Sequence, residues 1–127
     1  MSSSVLDASV VLAIIKQEPG GAGVAALTPD ASVSAVNTAE VMSRLLDDGY
    51  TDEQAKASID TLLVEVVPFD ENQALLAGAL RPLTRRRGLS LGDRACLALA
   101  STLGLPVLTA DRQWAGLDVG VEVRVIR

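Results

Sequence analysis

Five short apolar runs, the first four separated from one another by stretches of helical periodicity, set the strongest limit on what this chain can fold into. They are SVLDAS at Ser4–Asp7, ASVSAV from Ala31, VEVVPF closed by Pro68, LPVLTAD from Leu105, and VEVRVI near the end. Most are near-continuously apolar rather than alternating, as expected of strands covered on both faces. Strands that alternate with helices give a parallel sheet between helical layers. The intervening segments read as helices. One is VVLAIIKQEPGG, which stops near Pro19-Gly20-Gly21. GVAALTPD is a short piece ending at the Thr28-Pro29 turn. NTAEVMSRLLDDG would place Val36, Ala39, Met42, Leu45 and Leu46 on one side, with Gly49 at its C-terminal end. TDEQAKASIDTLL opens at Thr51, and a segment beginning at Asp70 should be kinked or broken by Pro82. SLGDRACLALASTLG is apolar nearly all round and therefore buried.

At 127 residues the chain reads as a single domain, 1–127. Its hydrophobic fraction of 49% supports a packed core, yet aromatics are only Tyr50, Phe69 and Trp114, so that core must be aliphatic. No apolar run approaches the roughly 20 residues of a spanning helix, and the N-terminus lacks the basic first region of a signal peptide. A soluble, cytoplasmic protein without membrane association is expected. The single cysteine, Cys96, excludes an intrachain disulfide.

There is no histidine. That removes Ser-His-Asp and Cys-His sites, histidine pairs that shuttle protons, and histidine-based zinc centres. An enzyme built from this chain must work with carboxylates, hydroxyls, Arg, Lys or a metal held by oxygen ligands. Charge is uneven. Residues 1–64 carry nine acidic and three basic side chains, and residues 65–127 seven and eight, giving the net of −5. Arg81, Arg85, Arg86 and Arg87 form a local basic cluster in RPLTRRRG.

Four carboxylates fall where an α/β sheet places its site, at strand C-termini and helix starts. Asp7 ends the first strand, Glu40 lies in the helix after the second, Asp93 opens the buried helix, and Asp111 follows the fourth strand. Helix capping accounts for three of them taken singly. Asp7 and Asp111 suit N-caps, and Asp93 follows Ser90 at capping-box spacing. Glu40 stands a full turn inside its helix, where capping offers it nothing. The triple Arg can likewise be a solvated helix end, and Met42, Cys96 and Trp114 suit packing roles.

The segments VLDASVVLAII, SAVNTAEV, LSLGDRACLALA and VLTADRQW resemble, in order, the four signature segments of PIN-domain ribonucleases, most closely the VapC toxins of toxin–antitoxin pairs. The resemblance spans Val5 to about Val125. It implies a PIN-like α/β fold: a parallel sheet of about five strands sandwiched by helices. It implies Asp7, Glu40, Asp93 and Asp111 as the acidic set, Ser9 and Thr109 as accessory hydroxyls, a cognate VapB-type antitoxin and a homodimer. Clustered carboxylates suit a hard divalent cation, Mg²⁺ or Mn²⁺. Asp7 and Asp93 would be direct ligands, with Glu40 and Asp111 acting through water or holding a second ion. The expected reaction is hydrolysis of an RNA phosphodiester by metal-activated water. RNA would dock on Arg85, Arg86 and Arg87, with Arg94 and Arg112 nearer the acids. The antitoxin would insert an Arg or Lys among the acids and lay a helix on the apolar helices after strands one and two. Two other readings compete: a non-catalytic PIN-like scaffold, and a receiver-like phosphoacceptor domain. The latter would require paired acids after the first strand, an acceptor Asp after the third and a late Lys, whereas the last Lys here is Lys56.

Overall fold

The computed structural model describes residues 2–127. Strands β1 (Ser4–Leu6), β2 (Ala31–Ser34), β3 (Glu65–Val67), β4 (Val107–Thr109) and β5 (Val123–Val125) form one sheet in the order β3-β2-β1-β4-β5. Every pairing is parallel, with Val5 opposite both Ser32 and Val107. All strand C-termini therefore lie along one edge, and β1 and β4, neighbours at the centre, deliver Asp7 and Asp111 to it.

The helices are α1 (Ala8–Ile15), α2 (Gly21–Val24), α3 (Ala35–Asp47), α4 (Asp52–Thr61), α5 (Glu71–Ala79), α6 (Arg81–Thr84) and α7 (Leu91–Leu103). Short 3₁₀ turns occupy Ala25–Asp30, Arg85–Arg87 and Arg112–Trp114. Two apolar cores lie on the two sides of the sheet. One is built on Val5, Leu97, Leu99, Val107 and Trp114 under α7. The other joins Leu6, Val10, Val33, Val41, Leu45 and Leu108 under α1 and α3. Trp114 is fully buried, the aromatic anchor of an otherwise aliphatic interior.

The sequence reading is met in fold and element order, with three local corrections. Burial on both faces holds for β1, β2 and β4, but the edge strand β3 exposes Glu65 and Val66. The second strand ends at Ser34, whose hydroxyl accepts from the Val36 amide and so starts α3 earlier than its apolar run suggests. The buried stripe of α3 is Asn37, Val41 and Leu45; Ala39 and Leu46 face outward. The break expected at Pro82 is present, since α5 ends at Ala79, ahead of this proline. Pro82 itself sits in the first turn of a separate helix, α6, where its missing N–H is not needed. Among the described residues no helix is long and apolar enough to cross a membrane.

Candidate active site

Asp7 caps α1, but its environment exceeds what capping needs. Its Oδ1 accepts from the Val10 amide at 3.1 Å and from the Ser9 hydroxyl at 2.6 Å. Its Oδ2 accepts from the Thr109 hydroxyl at 2.7 Å. Both hydroxyls are themselves held. Ser9 Oγ accepts from the Ala110 amide at 2.9 Å, and Thr109 Oγ1 from the Asp111 amide at 3.0 Å. The network ties the end of β1 to the end of β4. Asp7 is 3% exposed, and burial pushes its carboxyl up to about 6 despite these bonds, with the nearby Asp93 charge adding to the rise.

Asp93 and Ser90 form a reciprocal capping box at the start of α7: Asp93 Oδ2 accepts from the Ser90 amide at 2.8 Å, and Ser90 Oγ from the Asp93 amide at 3.2 Å. Asp111 Oδ1 accepts from the Gln113 amide at 2.9 Å. The capping readings are thus correct for all three residues, yet they leave Oδ1 of Asp93 and Oδ2 of Asp111 without a protein hydrogen bond among the described residues.

Glu40 is positioned by residues that the sequence reading passed over. Its Oε1 accepts from Asn37 Nδ2 at 2.7 Å, and the same amide donates to the Gly92 carbonyl at 2.9 Å. A Cβ at Gly92 would lie within 2.4 Å of the Glu40 carboxylate, so that carboxylate rests directly over the start of α7. Asn37 is 1% exposed, and its Oδ1 is buried without a partner. A signal was available: Asn37 is a polar residue at the head of a buried i, i+4, i+8 stripe, which requires an explanation.

No Lys or Arg forms an ion pair with Asp7, Glu40, Asp93 or Asp111 among the described residues. The carboxylates of Asp7, Asp93 and Glu40 do crowd the interior nearby. Burial, then these three charges, hold the Cys96 thiol well above its ordinary range, so it is a packing residue and not a nucleophile. The donor set fits a hard divalent ion: it is all oxygen, negatively charged, short of cations and next to an unpartnered buried amide oxygen. No three of these side chains converge closely enough to chelate one ion between them, among the described residues.

The structure separates the candidate arginines. Arg87 Nη1 donates to the carbonyls of Gln113 and Ala115, clamping the turn after Asp111. Arg94 Nη1 donates to the Ala77 carbonyl at 3.0 Å, so it braces α5. Arg112 Nε bonds the Arg127 carbonyl. Arg85 and Arg86 are exposed.

The PIN domain family matches this chain over residues 4–120. The chain belongs to that family. As a PIN domain it is 31% identical to Ribonuclease VapC5 of Mycobacterium tuberculosis, over 99% of this chain and 96% of the relative. The structure of VapBC-5 from the same organism, described as a member of the VapBC family of toxin-antitoxin systems, superposes with a TM-score of 0.67. It is 28% identical and covers 100% of this PIN domain and 99% of that chain. DNA-bound VapBC from Salmonella typhimurium gives a TM-score of 0.78 with full coverage of both chains; at 20% identity it supports the fold alone. This PIN domain is therefore a homologue of a VapC-type ribonuclease, and the receiver-like reading falls.

Proposed function

We propose that this chain is a Mg²⁺- or Mn²⁺-dependent endoribonuclease of the VapC type, restrained by a VapB-type antitoxin. The observation that carries the proposal is Asp7: a carboxylate buried at the sheet edge, bonded by two hydroxyls, beside other carboxylates and without a cation. Burial of an uncompensated charge costs several kcal/mol, a penalty that a bound divalent ion relieves.

In this reading Asp7 and Asp93 hold the ion, with Ser9 and Thr109 fixing the Asp7 carboxylate. When bound, the ion supplies an acidified water and stabilises charge developing on a phosphate. Glu40 Oε2 and Asp111 Oδ2 have no protein partner among the described residues, and each accepts a proton or hydrogen bond from water. Asn37 keeps Glu40 turned toward α7. A Lys or Arg of the antitoxin would occupy the same acidic centre and compete with the ion. A homodimer is part of the proposal by family likeness alone.

The test is cleavage of structured RNA by the purified protein. Activity should require Mg²⁺ or Mn²⁺ and vanish in Asp7→Asn and Asp93→Asn with the fold retained. Expression of the wild-type chain alone should arrest growth, and co-expression with the neighbouring antitoxin gene should relieve it. Wild-type cleavage by either Asn variant refutes the ligand assignment. Folded wild-type protein that cuts no RNA leaves the non-catalytic scaffold as the reading.

A further inference from the structure

We infer that the cleft between the outer faces of α1 and α3 docks a backbone phosphate of the substrate RNA, one flanking the phosphate at the acids, through Lys16, Arg44 and Arg127. This rests on the ribonuclease reading above and adds to it the face along which the RNA runs.

The cleft, of about 190 Å³, is lined by Ser9, Leu12, Lys16, Glu18, Arg44 and Arg127. It adjoins the acidic centre through Ser9, the residue whose hydroxyl bonds Asp7. Helices α1 and α3 start at the C-termini of the paired strands β1 and β2 and run away from the site. On α1, Ser9, Leu12 and Lys16 are spaced by three and four, so they share one face; on α3, Glu40 and Arg44 do the same. At 1.5 Å per residue, Lys16 lies about 10 Å beyond Ser9 and Arg44 about 6 Å beyond Glu40 along their helices. Each helix therefore presents a site residue and, one or two turns further from the sheet edge, a cation.

Arg127 comes in from the chain beyond β5. Its Nη1 donates to the Pro19 carbonyl at 3.3 Å, and its own carbonyl accepts from Arg112 Nε at 3.2 Å. Lys16, Arg44 and Arg127 thus line the cleft together with Glu18, and Asp48 and Glu40 also stand on this side. Asp48 is shared: Lys16 Nζ lies 2.6 Å away and Arg44 Nε 3.6 Å. Arg44 is 60% exposed in its side chain and its pairing is long, so it is available to a stronger anion.

The need for such a surface follows from charge. The protein carries −5 overall, and its catalytic edge is acidic. A polyanion reaches that edge only if cations lie within one or two phosphates of it. The triple Arg serves this less well, since Arg87 is already bonded to two carbonyls. A nucleic-acid strand also fits these charges better than a peptide does, because the cleft concentrates cations and its lining includes one apolar side chain, Leu12.

The experiment uses fluorescein-labelled single-stranded RNA of mixed sequence and an Asp93→Asn background that binds without cutting. Arg44→Gln combined with Arg127→Gln should weaken binding by about tenfold or more. It should also flatten the slope of log K against log salt by about 0.7 for each phosphate no longer neutralised. Glu18→Gln, which removes an anion from the cleft, should tighten binding. Arg85→Gln with Arg86→Gln should change affinity less than twofold. In the cutting protein, the Arg44/Arg127 pair should raise KM and leave kcat unchanged. Unchanged affinity and slope overturn the inference. So does weakening confined to the Arg85/Arg86 pair, or failure of antitoxin binding with RNA binding intact, which would make the cleft a protein-docking surface. If the wild type cuts RNA while these results fail, only the docking assignment falls; if it neither cuts nor binds RNA, the ribonuclease reading falls with it.

Discussion

Replacing Gly92 by Ala separates the site from the fold. The added Cβ would stand within 2.4 Å of the Glu40 carboxylate, against the 3.4 Å at which ordinary contact begins, so that carboxylate must move by about 1 Å or more. Glu40 is an exposed, flexible side chain and can swing into water. Gly92 has no positive φ, so Ala is conformationally acceptable there. In a helix Ala is favoured over Gly by up to about 1 kcal/mol, and the broken Asn37–Glu40 bond to a charged acceptor is worth about 1.5–3 kcal/mol. The net change in stability is therefore a loss of about 0.5–3 kcal/mol, at several degrees in Tm per kcal/mol for a chain of this size. Misplacement by 1 Å of a group that orients reactants lowers rates by about 10²-fold. The assay is kcat for RNA cleavage beside a thermal melt in EDTA. Full activity at unchanged Tm would show that Glu40 has no role tied to its place over α7. Unfolding would show that the start of α7 tolerates no side chain, and either result refutes the reasoning.

The raised Asp7 pKa gives a second expectation. A carboxyl that titrates near 6 when folded and near 3.8 when unfolded takes up protons on folding between those values. The metal-free protein should then lose a few kcal/mol of stability as pH rises from about 4 to above 6. Asp7→Asn should flatten that dependence and raise Tm at pH 7.5, measured by scanning calorimetry in EDTA; a steeper dependence in the variant would contradict the burial argument. Mg²⁺ or Mn²⁺ should raise the wild-type Tm at pH 7.5 and leave that of Asp7→Asn unmoved. Asn37→Ala removes the donor shared by Glu40 and Gly92, so kcat should fall while chemical denaturation shows destabilisation by about 1–3 kcal/mol. Arg87→Ala should lower Tm modestly and speed proteolysis around residues 112–116, whereas Arg85→Ala should do neither.

Much of the site was legible because Asp7, Asp93 and Asp111 sit beside turn and cap signals that the chain states locally: a strand end before a helix, a Ser three residues ahead, a strand end again. Strand order was not, since local periodicity carries no information on which neighbours pair. Glu40 could be singled out as unexplained, but its support could not be read. The bond from Asn37 to the Gly92 carbonyl spans 55 positions, and a glycine inside a helical pattern does not announce what lies above it. The partners of the arginines were hidden for a related reason. RPLTRRRG reads as a uniform basic patch, yet Arg87 is committed to carbonyls 26 and 28 residues away. The cations that line the cleft beside Ser9, namely Lys16, Arg44 and Arg127, come from three remote segments and form no run.

The bond between Thr109 and Asp7 crosses 102 residues, because β4 is laid beside β1 only after every intervening element exists. During synthesis the first acid leaves the ribosome long before the last. A partly made chain holds Asp7 and Glu40 but neither the helix that seats Glu40 nor the hydroxyl that fixes Asp7. If the chain cuts RNA as proposed, such a fragment cannot attack the RNA of the ribosome producing it. The centre comes into being only when the chain is nearly whole, which is also when a binding partner first has a complete surface to recognise.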